Sequence, residues 1–341
     1  MRVRILGIDT SCDDTAAAVV EDGRRVLSSV VATQHDLHSA FQGVVPEIAS
    51  RAHAERIGTV VRRALEESGT PTEDVAAVAV TTRPGLVGSL LVGVAFAKAF
   101  AWARGRPLLA VHHIEAHAIS ARADHEDLDY PFVALVASGG HTALYACRGP
   151  REIVRLGQTH DDAAGECFDK VAVLLGLPQP GGPAVSRLAQ EGRPDAVRFP
   201  RFKGEGDGPS FSFSGLKTSV LYYLKGVGGR RDGPNRPDLP VSPADVAASF
   251  ERAAVENLIG PTLAAVEREG VADLVVGGGV AANRELRRLL TERAPAGVRV
   301  RFPRPSLCAD NGAMIAMRGH ELLALGETSP LDVDVDPYAV D

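Results

Sequence analysis

Val3-Arg4-Ile5-Leu6-Gly7-Ile8 opens the chain, Asp9-Thr10-Ser11-Cys12-Asp13-Asp14-Thr15 follows it, and Ala16-Ala17-Ala18-Val19-Val20 comes next. The first run is short and apolar and stops at a cluster of turn-forming residues, so it reads as a buried strand entering a polar turn. The second apolar run begins at once and reads as the returning strand. The unit is a hairpin whose tip is Asp-Thr-Ser-Cys-Asp-Asp. Near the middle of the chain the same design returns: Pro131 to Ala137 reads as a strand, Ser138-Gly139-Gly140-His141 as a tight polar turn, and Thr142 to Cys147 as the strand back. The repeat is one of architecture and not of residues.

The segments between follow an alternating α/β plan. Pro46 to Glu67 carries apolar residues at helical spacing with basic residues between them, which predicts a helix. Val75 to Val80 reads as a buried strand; Arg83-Pro84-Gly85-Leu86-Val87-Gly88 leads from it into a long apolar helix ending near Ala103. Leu108 to Val111 is a further strand that runs directly into His112-His113-Ile114-Glu115-Ala116-His117. Asp273 to Val276 ends in Gly277-Gly278-Gly279, with a helix expected from about Ala281. Ser242-Pro243-Ala244-Asp245 has the signature of a helix start: Ser as N-cap, Pro in the first turn and Asp in capping-box position. Gly226 to Pro240 is rich in Gly and Pro and reads as a loop. Two strand–turn–strand units facing each other across a cleft form the nucleotide-binding arrangement of the actin, sugar-kinase and heat-shock-ATPase class. There, backbone N–H groups of small-residue turns close on phosphate oxygens. An ordinary β-hairpin has the same pattern, so both readings of the turns stand.

At 341 residues the chain has room for two domains, and its core is large enough to need neither disulfides nor metal for bulk stability. With 37 basic and 43 acidic residues, it is not a polycation that coats nucleic acid by charge alone. No uncharged apolar run approaches the roughly 20 residues of a membrane span, and the N-terminus turns acidic too soon for a signal peptide. Four cysteines (Cys12, Cys147, Cys167, Cys308) stand far apart with no C-x-x-C pair, which argues against a disulfide framework or a zinc knuckle. A cytoplasmic protein is expected.

Several clusters carry candidate chemistry. His113 and His117, four apart at the start of a helix, lie on one face within reach of one metal ion; surface or capping histidines have the same spacing. Their place past the carboxyl end of a strand is where open α/β sheets put ligands. Glu115 sits between them on another face, so the H-E-x-x-H geometry of a zinc protease is absent. Asp310 in Cys308-Ala309-Asp310-Asn311-Gly312 is a third ligand candidate or a helix N-cap. Gly277-Gly278-Gly279-Val280-Ala281-Ala282-Asn283 makes room for a flat ring or a phosphate, or is a tight strand–helix turn. Asp161-Asp162-Ala163-Ala164-Gly165-Glu166-Cys167-Phe168-Asp169-Lys170 holds ribose hydroxyls or is a solvated charged face; a helix starting near Asp162 would put Asp162, Glu166, Asp169 and Lys170 together. Phe211-Ser212-Phe213-Ser214-Gly215-Leu216-Lys217-Thr218 is flanked by Arg193, Arg198, Arg201 and Lys203 on one side and Lys225, Arg230, Arg231 and Arg236 on the other. These make a local basic patch.

Taken in order, ten segments resemble one family, the tRNA N6-adenosine threonylcarbamoyltransferases in their bacterial form (TsaD), once described as glycoproteases. They are GIDTSCDDTAAAVV from Gly7, LHSAFQGVVPEIASRAH from Leu37, PGLVGSLLVG from Pro84, HHIEAH from His112, VASGGHT from Val136, DDAAGECFDK from Asp161, PGGP from Pro180, FSFSGLKT from Phe211, GGGVAAN from Gly277 and CADNGAMIA from Cys308. They cover nearly the whole chain, with the Gly226–Pro240 loop the one idiosyncratic stretch.

The resemblance implies a duplicated actin-like fold (ASKHA, ribonuclease H-like) of two lobes with a nucleotide cleft between them. The N-terminal lobe would span 1–130. The C-terminal lobe would span 131–341, with an inserted loop at about 226–240 and a helix at about 311–326 packing back on the first lobe. It implies one divalent metal held by His113, His117 and Asp310, iron first and zinc as the alternative. It places substrate at Val136, Ala137, Ser138, Gly139, Gly140, Asp169, Gly182 and Asn283. The implied reaction moves threonylcarbamoyl from threonylcarbamoyl-adenylate to N6 of adenosine 37 in tRNAs reading codons that start with A, releasing AMP; ATP or ADP is a further ligand. The implied partners are tRNA, a shorter actin-like paralogue (TsaB) and a P-loop ATPase (TsaE), with no membrane. Asp9 and Asp14 stand where relatives often carry Glu and are the candidates for a general base. Ser186 departs from the Asp that many relatives place on the ribose side. The competing readings are an actin-like ATPase or kinase, to which a three-ligand metal site is foreign, and a metalloprotease.

Overall fold

Ile5, Leu6 and Ile8 of strand β1 (Arg4–Asp9) are all fully buried, and since successive residues face opposite ways, β1 is covered on both sides. The computed structural model describes residues 2–38, 41, 43–202, 204, 208–226 and 241–339; the expected loop thus lies outside the described residues from 227 to 240. The chain forms two units, one made of Met1–Tyr130, Arg148–Ile153 and Pro303–Asp341, the other of Pro131–Cys147 and Val154–Phe302.

In the first unit β1 pairs antiparallel with β2 (Asp14–Glu21), and β2 with β3 (Arg25–Thr33). On its other side β1 runs parallel to β4 (Val75–Arg83), and β4 to β5 (Leu108–His112). The sheet order is therefore β3-β2-β1-β4-β5. In the second unit β6 (Phe132–Ala137), β7 (Thr142–Gly149), β8 (Glu152–Gln158), β9 (Asp273–Gly277) and β10 (Arg299–Arg301) repeat it as β8-β7-β6-β9-β10. Strand for strand the second sheet copies the first, which makes the repeat legible in the two hairpins a duplication of topology.

Helix ends obey local chemistry. After α1 (His35–His38), α2 (Pro46–Ser68) starts with Pro in its first turn and stops at Gly69 in the left-handed conformation, where the Gly69 N–H caps the last carbonyls. The apolar helix α3 (Val87–Arg104) is the one helix among the described residues that could cross a membrane by length and composition. Its Val94, Ala97 and Ala101 instead share a core cluster with Val78 and Val80 of β4, the place of a core helix. In the second unit come α5 (Ala164–Leu174), α6 (Gly181–Ala189), α7 (Ser214–Lys225), α8 (Pro243–Glu269) and α9 (Arg284–Arg293). α8 opens with the capping box read from Ser242 and Asp245.

Two short elements position the chemistry of the first unit: α4 (His113–Ile119), continuous with β5, and α10 (Gly312–Ala324). α10 packs on β1, β2, β4 and β5, and so the chain from Pro303 onward belongs to the first unit; the second unit ends at Phe302, short of 341. The approach needs glycine on both surfaces. A Cβ at Gly7 would run into the Gly312 carbonyl and the Ala316 backbone, and one at Gly312 would come within 2.6 Å of the Ala17 backbone.

Candidate metal centre and nucleotide-binding turns

β5 delivers two imidazoles. Because α4 begins at His113 with no intervening loop, His113 and His117 share a face, their rings perpendicular with centroids 4.7 Å apart. Asp310 arrives at the mouth of α10. Its Oδ1 lies 3.0 Å from His117 Nε2 and 3.4 Å from His113 Nε2. The alternative of Asp310 as N-cap is not what the chain does: Asn311 caps α10, accepting from Met314 N at 2.9 Å, and Asp310 faces the histidines. One ligand atom from each of the three lies within 4.8 Å of the others.

Behind His113 stands Asp9. It is fully buried, accepts from Thr81 Oγ1 at 2.6 Å, and has Oδ2 3.5 Å from His113 Nδ1, while Ser11 Oγ is 3.3 Å from the same nitrogen. A carboxylate at Nδ1 favours the ring proton there, so that Nε2 is the nitrogen whose proton a metal ion would displace. Burial opposes a charge on His113, but the Asp9 and Asp310 carboxylates outweigh it and push the ring up to about 10. On His117 burial prevails and its value falls. Burial also works against charge on Asp310, yet the charge of His113 and hydrogen bonds from both rings hold its carboxyl well below the usual range. The cluster is thus a place prepared for positive charge. Two imidazole nitrogens and a carboxylate fit a divalent ion of intermediate softness, with coordination positions left for substrate. We expect Asp9→Asn, which keeps the shape but loses the charge behind His113, to weaken divalent-ion affinity about 10- to 100-fold in chelator competition. Unchanged affinity would remove Asp9 from that role.

The same turn offers a second carboxylate. Asp14 Oδ1 is buried with no hydrogen-bond partner among the described residues, and burial, then the charges of Asp13 and Asp310, push its carboxyl up to about 6. The turn is pinned by the buried His53 of α2, whose Nδ1 is 2.8 Å from Thr15 Oγ1 and whose Nε2 is 3.0 Å from the Cys12 carbonyl. Glu115 is committed elsewhere: Arg318 Nε and Nη2 reach its Oε2 at 2.9 and 2.8 Å. It is therefore held away from the role of a water-activating protease base.

In the second unit Val136 and Ala137 end β6, and Ser138 to His141 form the turn, closed by Ser138 N to the His141 carbonyl at 2.7 Å and by His141 N to Ser138 Oγ at 3.1 Å. Gly139 and Gly140 face open space, where even a Cβ would touch nothing within 4 Å. Gly278, at φ +86°, lies so near the Ala137 carbonyl that no side chain fits, so the three-glycine turn and the Ser138 turn are packed together. Asp169 Oδ1 accepts from Gly181 N at 2.7 Å, beside Gly182, which is also open.

α5 begins at Ala164, just past Asp162, which precedes it and binds Lys170 at 3.1 Å and Lys217 at 2.6 Å. Asp161 accepts from Ser212 Oγ, Phe213 N and Ser214 Oγ. These two carboxylates tie down the Phe211–Thr218 segment. After the glycines, one short 3-10 turn (Gly279–Ala282) intervenes, so α9 starts at Arg284 with Asn283 as its N-cap and not at Ala281. The basic patch is partly neutralised, Arg193 by Asp245 and Arg201 by Glu256 at 3.8 Å; Lys203, Arg230, Arg231 and Arg236 lie outside the described residues.

Comparison with known proteins identifies the family. The family model "TsaD: tRNA N6-adenosine threonylcarbamoyltransferase" matches residues 25–317. A protein of that name from Anaeromyxobacter dehalogenans (strain 2CP-C) is 51% identical over 336 residues, covering 98% of each chain. Another from Geotalea uraniireducens (strain Rf4) is 49% identical over 98% of this chain and 95% of its own. The chain belongs to the TsaD family. Solved structures share the fold alone with this TsaD-family chain. HypF from T. kodakarensis (TM-score 0.64, 15% identity) covers 96% of this chain and 49% of its own. Component A of the (R)-2-hydroxyglutaryl-CoA dehydratase from Acidaminococcus fermentans (TM-score 0.56, 16% identity) covers 94% and 99%. The fold is the duplicated actin-like α/β fold. Sequence reasoning named His113, His117 and Asp310, which the structure brings together, but missed Glu251 and Arg318. Glu251 had one available signal, a carboxylate amid Ala247, Ala248, Phe250, Ala254 and Val255 of a helix, whereas Glu115, the partner that ties Arg318 to α4, lies too far away in sequence for spacing to show it.

Proposed function

We propose that the chain transfers threonylcarbamoyl from threonylcarbamoyl-adenylate to N6 of adenosine 37 in tRNAs reading codons that start with A. The observation that carries this reading is the His113–His117–Asp310 cluster at the carboxyl edge of the first sheet, in a chain alike over 98% of its length to proteins named for that reaction. His113, His117 and Asp310 would hold one divalent ion, iron by first choice and zinc as alternative. When bound, such an ion polarises carbonyl or phosphoryl oxygens and orients them.

The rest of the chemistry is positioning and proton handling. N6 of adenosine attacks the carbamoyl carbon, the bond from that carbon to the phosphate oxygen breaks, and AMP leaves with the electron pair. The open turn at Ser138, Gly139 and Gly140 offers backbone N–H groups to oxygen atoms of the donor. Asp169, Gly182 and Asn283 would hold its adenosine part, and ATP or ADP would use the same residues. The N6 proton needs an acceptor. Asp9 is occupied by Thr81, Ser11 and His113, while Asp14 has an unpartnered oxygen and a carboxyl already raised toward neutrality. Asp14 is therefore the better general base. The acidic surface and the neutralised arginines favour tRNA capture by an assembly, with TsaB and TsaE as partners in the cytoplasm.

The test is transfer of labelled threonine from threonylcarbamoyl-adenylate to tRNA, with both partner proteins present. The wild type should modify tRNA, its rate falling as pH drops through about 6 while Asp14 takes up a proton. Asp14→Asn should be slower by 100-fold or more, in the range of a lost general base, and should lack that limb. Absence of modified tRNA beside a working positive control would overturn the reading; a retained limb would remove Asp14.

A further inference from the structure

Ser186 of α6, Glu251 of α8 and Asn283 at the start of α9 meet at one point in the second unit. Asn283 Nδ2 donates to Glu251 Oε1 at 2.7 Å and to Ser186 Oγ at 3.0 Å, and Ser186 Oγ donates to the same Glu251 oxygen at 2.6 Å. Asn283 Oδ1 accepts from Leu286 N at 2.8 Å. Both amide hydrogens of Asn283 and the hydroxyl hydrogen of Ser186 are thus committed within the protein, and none remains as a donor.

Glu251 is 9% exposed, on a stretch of α8 that buries Ala247, Ala248, Phe250, Ala254 and Val255, with Arg252 beside it in the chain. A carboxylate among such neighbours is costly, and an apolar residue of similar volume would serve the packing as well or better. Burial raises its carboxyl above the ordinary range, against the two hydrogen bonds that hold it down. Both bonds end on Oε1; Oε2, which has lone pairs to offer, receives none among the described residues. The group stands just past the Gly277-Gly278-Gly279 turn, at the carboxyl end of β9, the ligand side of an open α/β sheet.

We infer that Glu251 is the carboxylate that accepts the ribose hydroxyls of the adenosine-bearing donor, and that Ser186 and Asn283 are positioning residues that hold it. This deepens the transferase reading and rests on it.

The test is calorimetric binding of AMP and of 2′,3′-dideoxy-AMP to the full chain as wild type, Glu251→Ala, Glu251→Gln and Glu251→Ala with Ser186→Asp. Hydroxyl bonds to a charged acceptor correspond to a preference for AMP of about 10- to 100-fold in the wild type. Glu251→Ala should abolish that preference by weakening AMP alone, Glu251→Gln should keep a few-fold remnant, and Ser186→Asp should restore part of it. A purely structural glutamate would instead weaken both nucleotides equally, leave the ratio intact and show no rescue, which overturns the inference. A wild type that binds both nucleotides alike, or neither, overturns it too, while the transferase reading is judged separately by modified tRNA.

Discussion

His117→Ala is expected to leave the chain unable to hold a divalent ion and to cut threonylcarbamoyl transfer about a thousandfold. Three side chains form the site, His117 is wholly buried against Asp310, and among the described residues no fourth His, Cys, Asp or Glu joins the cluster. An ion that polarises the reacting oxygens supplies several kcal/mol of charge stabilisation, and about 4 kcal/mol corresponds to three powers of ten in rate. Removing a buried imidazole also leaves a cavity, so Asp310→Asn is the companion variant: it keeps volume and removes the negative ligand. Metal analysis after desalting and the labelled-threonine assay should fall together in both variants, while Asp9→Asn lowers affinity and keeps measurable transfer at saturating metal. Full activity in metal-free Asp310→Asn would show that the cluster is a buried charge network with no part in the reaction.

What was readable in the sequence follows from the range of the interactions involved. The hairpin at Arg4–Glu21 and its counterpart at Phe132–Gly149 are written in contiguous apolar runs and small turn residues, and the capping box at Ser242 involves groups three residues apart. These are local matters, so spacing reveals them. The start of α9 was misplaced because Gly278 and the following 3-10 turn prolong the loop until Asn283, the first residue able to cap. Asp310 and Asn311 are neighbours that can both cap a helix; two histidines nearly 200 positions away decide which does. Glu251 and Ser186, 65 residues apart, belong to the same class, where tertiary structure alone assigns the partner.

Arg318 exposes that long-range class to measurement. Only 5% exposed, it holds Glu115 through two nitrogens and Glu321 through Nη1 at 2.8 Å; Arg122 and Tyr130 also bond to Glu321. The network joins α4, which carries both histidines, to α10, which follows Asp310. Arg318→Met keeps bulk but leaves Glu115, whose side chain is 20% exposed, without its cation; solvent tempers the cost of a stranded charge to about 2–3 kcal/mol. For a unit of this size that corresponds to a thermal midpoint lower by about 5–10 °C. Glu115→Gln should cost much less, because Glu321 still neutralises Arg318 and the amide oxygen can still accept one of its hydrogens. The asymmetry separates a clamp from a generic surface pair, for which both variants would lie within about 1 kcal/mol of wild type. If the clamp sets the distance between the histidines and Asp310, Arg318→Met will also bind divalent metal more weakly at a temperature where it is fully folded; unchanged metal affinity there would confine the pair to stability.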